Sequence, residues 1–238
     1  MADLRSQGVT IAVVDAISND DLHRMGPALK DLALVTAGSG VAIGLPANFG
    51  IAPSNTASDL PPPTGFQAVV SGSCSLATNR QVQAFMVAGY PTLAIDPLTL
   101  VGHSEQAVSD ALKWAQPFLD KRPVLIYSSA SPEAVKAVQA QLGVQAAGDL
   151  VEHTLAAIAR GLVEGGVRQL VVAGGETSGA CVQALGITQM KIGPQIDPGV
   201  PWCHACSDAA PDGGLHLTLK SGNFGTDDFF IKSFGCLG

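Results

Sequence analysis

Leu170-Val171-Val172-Ala173-Gly174-Gly175-Glu176-Thr177-Ser178-Gly179-Ala180 is the stretch that decides the fold. Leu170 to Ala173 is short, apolar and rich in β-branched residues, as a buried strand requires. Two glycines stop it. Glu176-Thr177-Ser178 then lead into a small-residue segment, Gly179 to Leu185, that reads as a helix closed by Gly186. A strand, a tight glycine turn and a helix start aim several backbone N–H groups and the positive end of a helix dipole at one spot. Such a spot favours an anion such as a phosphate. The same corner also turns the chain in α/β proteins that bind nothing there, so it needs companions.

The chain around it alternates strand and helix. Phe66 to Val70 reads as a strand, Ala77 to Ala88 as a helix with Val82, Phe85 and Met86 on one face, and Pro91 to Ile95 as a strand. Ser104 to Leu119 is helical, Val124 to Tyr127 a strand, and Ser131-Pro132-Glu133 opens a helix running to Leu142. Asp149 with Glu152 resembles a capping box ahead of the stripe Leu155, Ile158, Ala159, Leu162 and Val163. This order predicts an α/β fold, a mostly parallel sheet flanked by helices, with ligands at the carboxyl ends of its strands. Ile192 to Trp202, with three prolines, reads as extended or turn-like. Leu215 to Lys220 alternates as a strand, and a short helix is expected over Asp227 to Ser233.

Residues 1–45 read differently. Val9 to Val14 and Leu32 to Thr36 look like strands, each followed by a short helix; Asn19 or Asp20 can cap the first helix, and Ala37 to Gly44 holds the second. A βαβα piece of this size encloses no core, so it is expected to be the remnant of a second domain. Residues 46–65 are proline-rich and read as a linker, which leaves 66–238 as the main domain.

Composition narrows the function. At 238 residues with 47% hydrophobic and only 14% charged content, the chain has ample material for a core, and disorder is not expected. Thirteen Lys and Arg against twenty Asp and Glu give −7 with no basic cluster, which argues against nucleic acid and anionic membranes as partners. Any bound phosphate must then be held by local dipoles and Mg²⁺. Leu32 to Ser58, the longest uncharged stretch, contains Pro46, Asn48, Pro53 and Asn55 and reads as no membrane helix. Met1 to Gln7 has no apolar signal-peptide core, and five scattered cysteines fit the reduced thiols of a cytoplasm.

Three loops share one character: Ser71–Ser75, Gly174–Ser178 and Ser221–Gly225 each follow a strand, are rich in Gly and Ser, and precede a helix. Parallel strands would bring them to one rim, where together they could wrap a triphosphate. The spacings of the P-loop and of the dinucleotide fingerprint are absent. Glu176 beside phosphates would be repulsive unless it meets Mg²⁺ or points to a ribose hydroxyl or an amide. Lys220, just before the third loop, reads as a source of positive charge or as a solvated strand-end lysine.

Ser71-Gly72-Ser73-Cys74-Ser75 with Ala77-Thr78 and Gln81 resembles a signature of the four-carbon acid sugar kinases. So do Ala173 to Ala180, Ile192-Gly193-Pro194-Gln195-Ile196-Asp197-Pro198-Gly199-Val200-Pro201, and Leu219 to Gly225 with Asp228-Phe229-Phe230. Val14 to Ser18 and Gly38 to Ala42 look like the end of that family's first domain. The resemblance covers nearly the whole chain. It implies the nucleotide-binding half of an ATP- and Mg²⁺-dependent kinase that phosphorylates the terminal hydroxyl of a four-carbon sugar acid. The residues around Gly174–Thr177 and Ile192–Trp202 are most similar to kinases of 3-oxo-tetronate, with threonate and erythronate kinases as close neighbours. ATP contacts are implied for Ser73 or Ser75, for Gly174, Gly175, Glu176, Thr177 and Ser178, and for Gly222. That family's first domain opens with an aspartate-rich sugar-acid motif, and nothing like it precedes Val9. The chain is therefore expected to be one part of a kinase, meeting its sugar acid through a missing N-terminal domain; a homo-oligomer is compatible with this, and a non-catalytic nucleotide-binding module is the reading of another class.

Asp197 is the candidate for the group that orients the acceptor hydroxyl, against an Asx-turn aspartate ahead of Pro198. Trp202-Cys203-His204-Ala205-Cys206 has the spacing of a redox dithiol, but no buried strand is read before it and no helix after it, and no second pair completes a zinc site. His23, His103, His153, His204 and His216 are dispersed and mark no catalytic centre.

Overall fold

The computed structural model describes residues 2–54, 56–128 and 143–237. The chain separates into two compact units, Met1–Asn55 and Thr56–Gly238. The stretch 46–65 is thereby divided between them.

The first unit holds α1 (Ala2–Ser6), α2 (Asn19–Ala28) and two 3₁₀ turns, Ser39–Gly44 and Pro46–Phe49. Ser18, one residue earlier than expected, caps α2. Its hydroxyl accepts from the Asp21 amide while the Asp21 carboxylate accepts from the Ser18 amide, a full capping box. The strands read at Val9–Val14 and Leu32–Thr36 do not form, which corrects the βαβα reading of this piece. An extended segment becomes a strand only by pairing its N–H and C=O groups across a ladder, and these two find no ladder partner among the described residues. Ile11, Val13 and Leu34 stand 84%, 89% and 82% exposed.

The second unit is a three-layer α/β sandwich. In chain order it runs β1 (Phe66–Ser71), α3 (Leu76–Val87), β2 (Thr92–Ala94), α4 (Ser104–Leu119), β3 (Val124–Tyr127), α5 (Val144–Glu164), β4 (Val167–Ala173), α6 (Gly175–Ala184), β5 (Met190–Asp197), β6 (Val200–Ser207), β7 (Ala210–Lys220) and α7 (Phe229–Lys232). The sheet order is β2-β3-β1-β4-β7-β6-β5. The first five strands are parallel, with Val69 opposite both Leu125 and Val171, and Val172 opposite Leu219; β6 and β5 close the edge antiparallel.

Side chains alternate along each strand, so each central strand feeds two cores. Val70, Ile126, Leu170, Val172 and Leu217 pack against residues of α4, α5 and α6, such as Ala115, Leu155, Ile158 and Cys181. Val69, Leu125 and Val171 pack on the other face against Val82 and Phe85 of α3, Trp202, and Phe229 and Phe230 of α7.

Several boundaries differ from the sequence reading. Helix α5 starts at Val144, so Asp149 lies inside it and caps nothing; the continuous stripe from Leu150 extends the helix past the polar signal. The helix read at Ser131–Leu142 lies outside the described residues. Ile192–Trp202 is a β-hairpin despite its prolines: Pro194 is on the edge strand β5, where a missing N–H faces no partner, Pro198 is in the turn, Pro201 precedes the pairing of β6 with β7 at Cys203, and the register shifts at Gln195 absorb the irregularity. Cys203 and Cys206 therefore stand on β6 rather than at a helix start. Trp202 and Ala205, equally three apart on that strand, belong to opposite cores.

The 56–65 segment packs onto this unit. His216 Nε2 lies 2.9 Å from the Pro61 carbonyl, and Gln169 donates to the Thr64 carbonyl at 3.2 Å.

Candidate functional site

Strands β1, β4 and β7 are neighbours at the middle of the sheet, and their carboxyl ends carry the loops 71–75, 174–178 and 221–225. The loop after β1 leads to α3 on one face, whereas the loop after β4 leads to α6 on the other. Adjacent strands whose connections leave in opposite directions open a crevice, the usual ligand position in a parallel sheet. The three loops touch: the Gly72 amide donates to the Ala173 carbonyl at 2.9 Å, and the Gly174 amide to the Lys220 carbonyl at 2.8 Å. Ser75 Oγ donates to the Gly222 carbonyl at 2.5 Å.

The second loop is the sharpest corner. Gly174 has φ 120°, a region L-residues avoid, and a Cβ there would stand 3.0 Å from Thr177 Oγ1 and 3.3 Å from the Ser73 nitrogen. No side chain caps α6: Ser178 Oγ donates backwards to the Gly174 carbonyl at 2.6 Å. The amides of Gly175, Glu176 and Thr177 thus have no partner among the described residues, at the positive end of the helix. Gly175 and Glu176 are exposed; Thr177 and Ser178 are buried, Thr177 packed against Gly72.

In the first loop Ser75 is the N-cap of α3, accepting from the Thr78 amide at 3.1 Å. Ser73 accepts from the Ser75 amide at 3.3 Å, and its hydroxyl faces Gly222.

The third loop is turned inside out by polar residues on the buried face of α3. Thr78 Oγ1 donates to the Gly222 carbonyl at 2.9 Å, and Gln81 Nε2 lies 3.0–3.1 Å from the carbonyls of Phe224, Gly225 and Thr226. Lys220 Nζ donates to Thr78 Oγ1 and to the carbonyls of Ser221, Gly222 and Phe224, at 3.0–3.2 Å. In a trans peptide the N–H points opposite to the preceding C=O. With those carbonyls drawn inward, the amides of Gly222, Asn223 and Gly225 face away from the core, and none has a partner among the described residues. Two sets of free amides, one at the head of α6 and one in this loop, thus flank the same crevice.

Lys220 is fully buried, and its Nζ stands 6.0 Å from the ring centres of Phe229 and Phe230. Burial pushes its ammonium down to about 8. It is not solvated at a strand end, because the C-terminal segment folds over it. Glu176 has an acidic neighbour on α5: the Glu152 carboxyl is pushed up by burial, then by the charges of Glu176 and Asp149. Among the described residues no three His, Cys, Asp or Glu side chains gather as a metal cluster.

Asp197 ends β5 on this rim. One oxygen accepts from Lys232 at 2.6 Å, the other from the Thr226 amide at 2.9 Å and the Thr226 hydroxyl at 3.3 Å. Burial would push the carboxyl up, but Lys232 and the Thr226 amide outweigh it and hold it below the ordinary range. Both oxygens are engaged in fastening the end of the third loop.

Sequence reasoning gave Thr78 and Gln81 no separate role, although two polar residues three apart beside Val82 and Phe85 mark a polar spot on an apolar helix face. Ser128 was missed. It directly follows β3, its amide donates to the Ser71 carbonyl at 2.8 Å, and its buried hydroxyl has no partner among the described residues.

Residues 68–230 match the family described as the nucleotide-binding C-terminal domain. The chain is 53% identical over 241 residues to the 3-oxo-tetronate kinase of Burkholderia multivorans, covering all of this chain and 55% of that protein. Identity to the 3-oxo-tetronate kinase of Pseudomonas fluorescens is 51% over 240 residues, covering all of this chain and 54% of that protein. The chain spans about half the length of the curated relatives it matches. Among solved structures, one described as a putative tRNA synthase from Salmonella typhimurium superimposes with a TM-score of 0.76 at 38% identity, over 98% of this chain and 54% of that one. Haemophilus influenzae protein HI1011 does so with a TM-score of 0.72 at 38% identity, over 100% and 56%.

Proposed function

The chain belongs to the four-carbon acid sugar kinases, as their nucleotide-binding C-terminal domain, and on that premise we propose that it is the ATP-binding part of a kinase. The proposed reaction transfers the γ-phosphoryl group to the terminal, 4-position hydroxyl of a sugar acid such as 3-oxo-tetronate. The observation that carries this reading is the pair of free-amide sets, at the head of α6 and in the 221–225 loop, on either side of one crevice. Phosphoryl transfer is mainly a matter of positioning and charge neutralisation, and preorganised amides supply both.

In this reading the amides of Gly175, Glu176 and Thr177 hold one part of the triphosphate, and those of Gly222, Asn223 and Gly225 another. Ser73, at the contact of the first and third loops, adds its hydroxyl; Ser75 and Ser178 hold the loops rather than the ligand. Mg²⁺ fits the donor chemistry: Glu176 is exposed beside the amides, with Glu152 as its acidic neighbour, and Mg²⁺ sites commonly use one or two carboxylates plus phosphate oxygens. The metal would neutralise phosphate charge there. Asp197, in this reading, anchors the third loop through Thr226 and Lys232 and takes no proton. The sugar acid would arrive on a separate N-terminal domain. A cytoplasmic setting agrees with five free thiols, and among the described residues no helix is long and apolar enough to cross a membrane.

The test is calorimetric titration of ATP with Mg²⁺ into this chain, followed by assay of sugar-acid phosphorylation with and without an added N-terminal domain from a relative. Binding by the chain alone, with turnover of 3-oxo-tetronate only in the joined form, is expected. Absence of nucleotide binding would overturn the reading, and turnover of threonate or erythronate in preference would reassign the substrate.

A further inference from the structure

Lys220 is a buried cation without an anion. Its four acceptors, Thr78 Oγ1 and three backbone carbonyls, are all neutral. Among the described residues it takes part in no ion pair, whereas the other cations near the third loop do: Arg80 is paired with Asp227 at 3.0 Å and Lys232 with Asp197 at 2.6 Å.

The carbonyls do not depend on it. Ser221 O also accepts from the Phe224 amide, Gly222 O from Ser75 and Thr78, and Phe224 O from Gln81. An enclosed ammonium that satisfies no otherwise orphaned group and meets no carboxylate disfavours the ligand-free fold. Its position gives it another purpose. The carbonyls it draws inward belong to the peptide units whose amides, on Gly222, Asn223 and Gly225, face away from the core and have no partner among the described residues.

We propose that Lys220 is a positioning residue for the nucleotide's phosphates. Its charge, held behind the third loop, polarises the peptide units of that loop and supplies the positive potential that this chain, at −7 overall, otherwise lacks. Lys220 does not touch the ligand; it acts through the amides in front of it. The inference rests on the nucleotide reading of this crevice.

The experiment compares wild type with Lys220→Met, similar in length and uncharged, by calorimetric titration of ATP and, separately, of adenosine, each with Mg²⁺, on chains shown by circular dichroism to be folded. The expected result is ATP affinity weaker by roughly 10- to 100-fold in the variant, with adenosine affinity within about twofold of wild type. Equal ATP affinity in the two chains, or equal losses for ATP and adenosine, would overturn the inference while leaving the nucleotide reading intact. Failure of wild type to bind ATP would overturn both.

A second measurement stands even if the variant does not fold. From pH 7.5 to 9.5 the ammonium, pushed down to about 8, loses its proton, so wild-type ATP affinity falls by roughly tenfold while adenosine affinity does not. The other titratable or charged groups on the elements around Lys220 are Arg80 of α3, Glu176 and Cys181 of α6, Cys74 of the first loop, and Asp197, Asp227, Asp228 and Lys232 around the third, with Arg168 on β4, Cys203, His204 and Cys206 on β6, and Asp212 and His216 on β7 itself. Any contribution from these persists in Lys220→Met, and a flat wild-type profile refutes the proposal.

Discussion

Replacing Lys220 by methionine should make the fold more stable at neutral pH, even though it removes four hydrogen bonds. The magnitude comes from the ammonium itself. Moving it from an ordinary value of 10.5 to about 8 by burial corresponds to about 3 kcal/mol against the charged form at pH 7. Methionine carries no such penalty and puts an apolar chain of similar length beside the Phe229 and Phe230 rings. The lost hydrogen bonds return part of this, but each carbonyl retains another donor, so no buried acceptor is orphaned. The expected gain is about 1–3 kcal/mol.

The sign with pH is the sharper test. Below about 8 both folded and unfolded chains hold the proton, and the full penalty applies. Between about 8 and 10.5 the unfolded chain binds the proton and the folded one does not, so wild-type stability rises with pH. Urea unfolding followed by circular dichroism at pH 7 and pH 10 should therefore show the variant ahead at pH 7 and the gap nearly closed at pH 10. A variant less stable than wild type at pH 7, or a gap that widens with pH, would refute the reasoning.

Asp197→Asn should cost roughly 1–3 kcal/mol, because Lys232 loses its charged partner and the Thr226 end of the third loop loses its anchor. The Asp197 carboxyl is lower when folded, so its contribution is present above 3.8 and is lost as pH falls from there through its lowered folded value; thermal midpoints of wild type and variant should differ at pH 7 and draw together as the pH is taken below 3.8. Gly174→Ala puts a Cβ at φ 120° and 3.0 Å from Thr177 Oγ1. It should destabilise by roughly 1–3 kcal/mol and, by moving the head of α6, abolish calorimetric ATP binding.

The sequence revealed the second unit largely because its strands are buried on both faces. Val69-Val70, Leu125-Ile126 and Leu170-Val171-Val172 are apolar without interruption, and small residues follow each: Ser71-Gly72, Ser128 and Gly174-Gly175. The β5–β6 hairpin was not legible, since Pro194, Pro198 and Pro201 read as breakers; Pro194 is tolerated because β5 is an edge strand, Pro198 because it lies in the turn, and Pro201 because it stands at the start of β6, and such placements are properties of the whole sheet. The N-terminal strands failed for the converse reason: local preference was right, but a strand is defined by its partner. In the site, the convergence of three loops followed from parallel order. The burial of Lys220 could not be read, because whether a strand-end lysine meets water or two phenylalanines depends on where α7 lands, nine to twelve residues later.

The antiparallel edge explains how that landing is fixed. A parallel sheet ending at β7 would leave the third loop with one neighbour, β4. Running β6 down and β5 up returns the chain to the same rim at Asp197, two strands beyond β7. From there the carboxylate reaches Thr226, three residues ahead of α7, and Lys232 at its last position, and so holds the helix from both sides. Trp202 Nε1 of β6 donates to the Ser233 carbonyl at 2.8 Å and ties the other end of α7 to the same edge. Phe229 and Phe230 are thereby pressed over Lys220, and the burial that lowers its ammonium is a consequence of the hairpin. The strand pair that looked least like secondary structure in the sequence is what holds a charged side chain behind the 221–225 loop and keeps water from it.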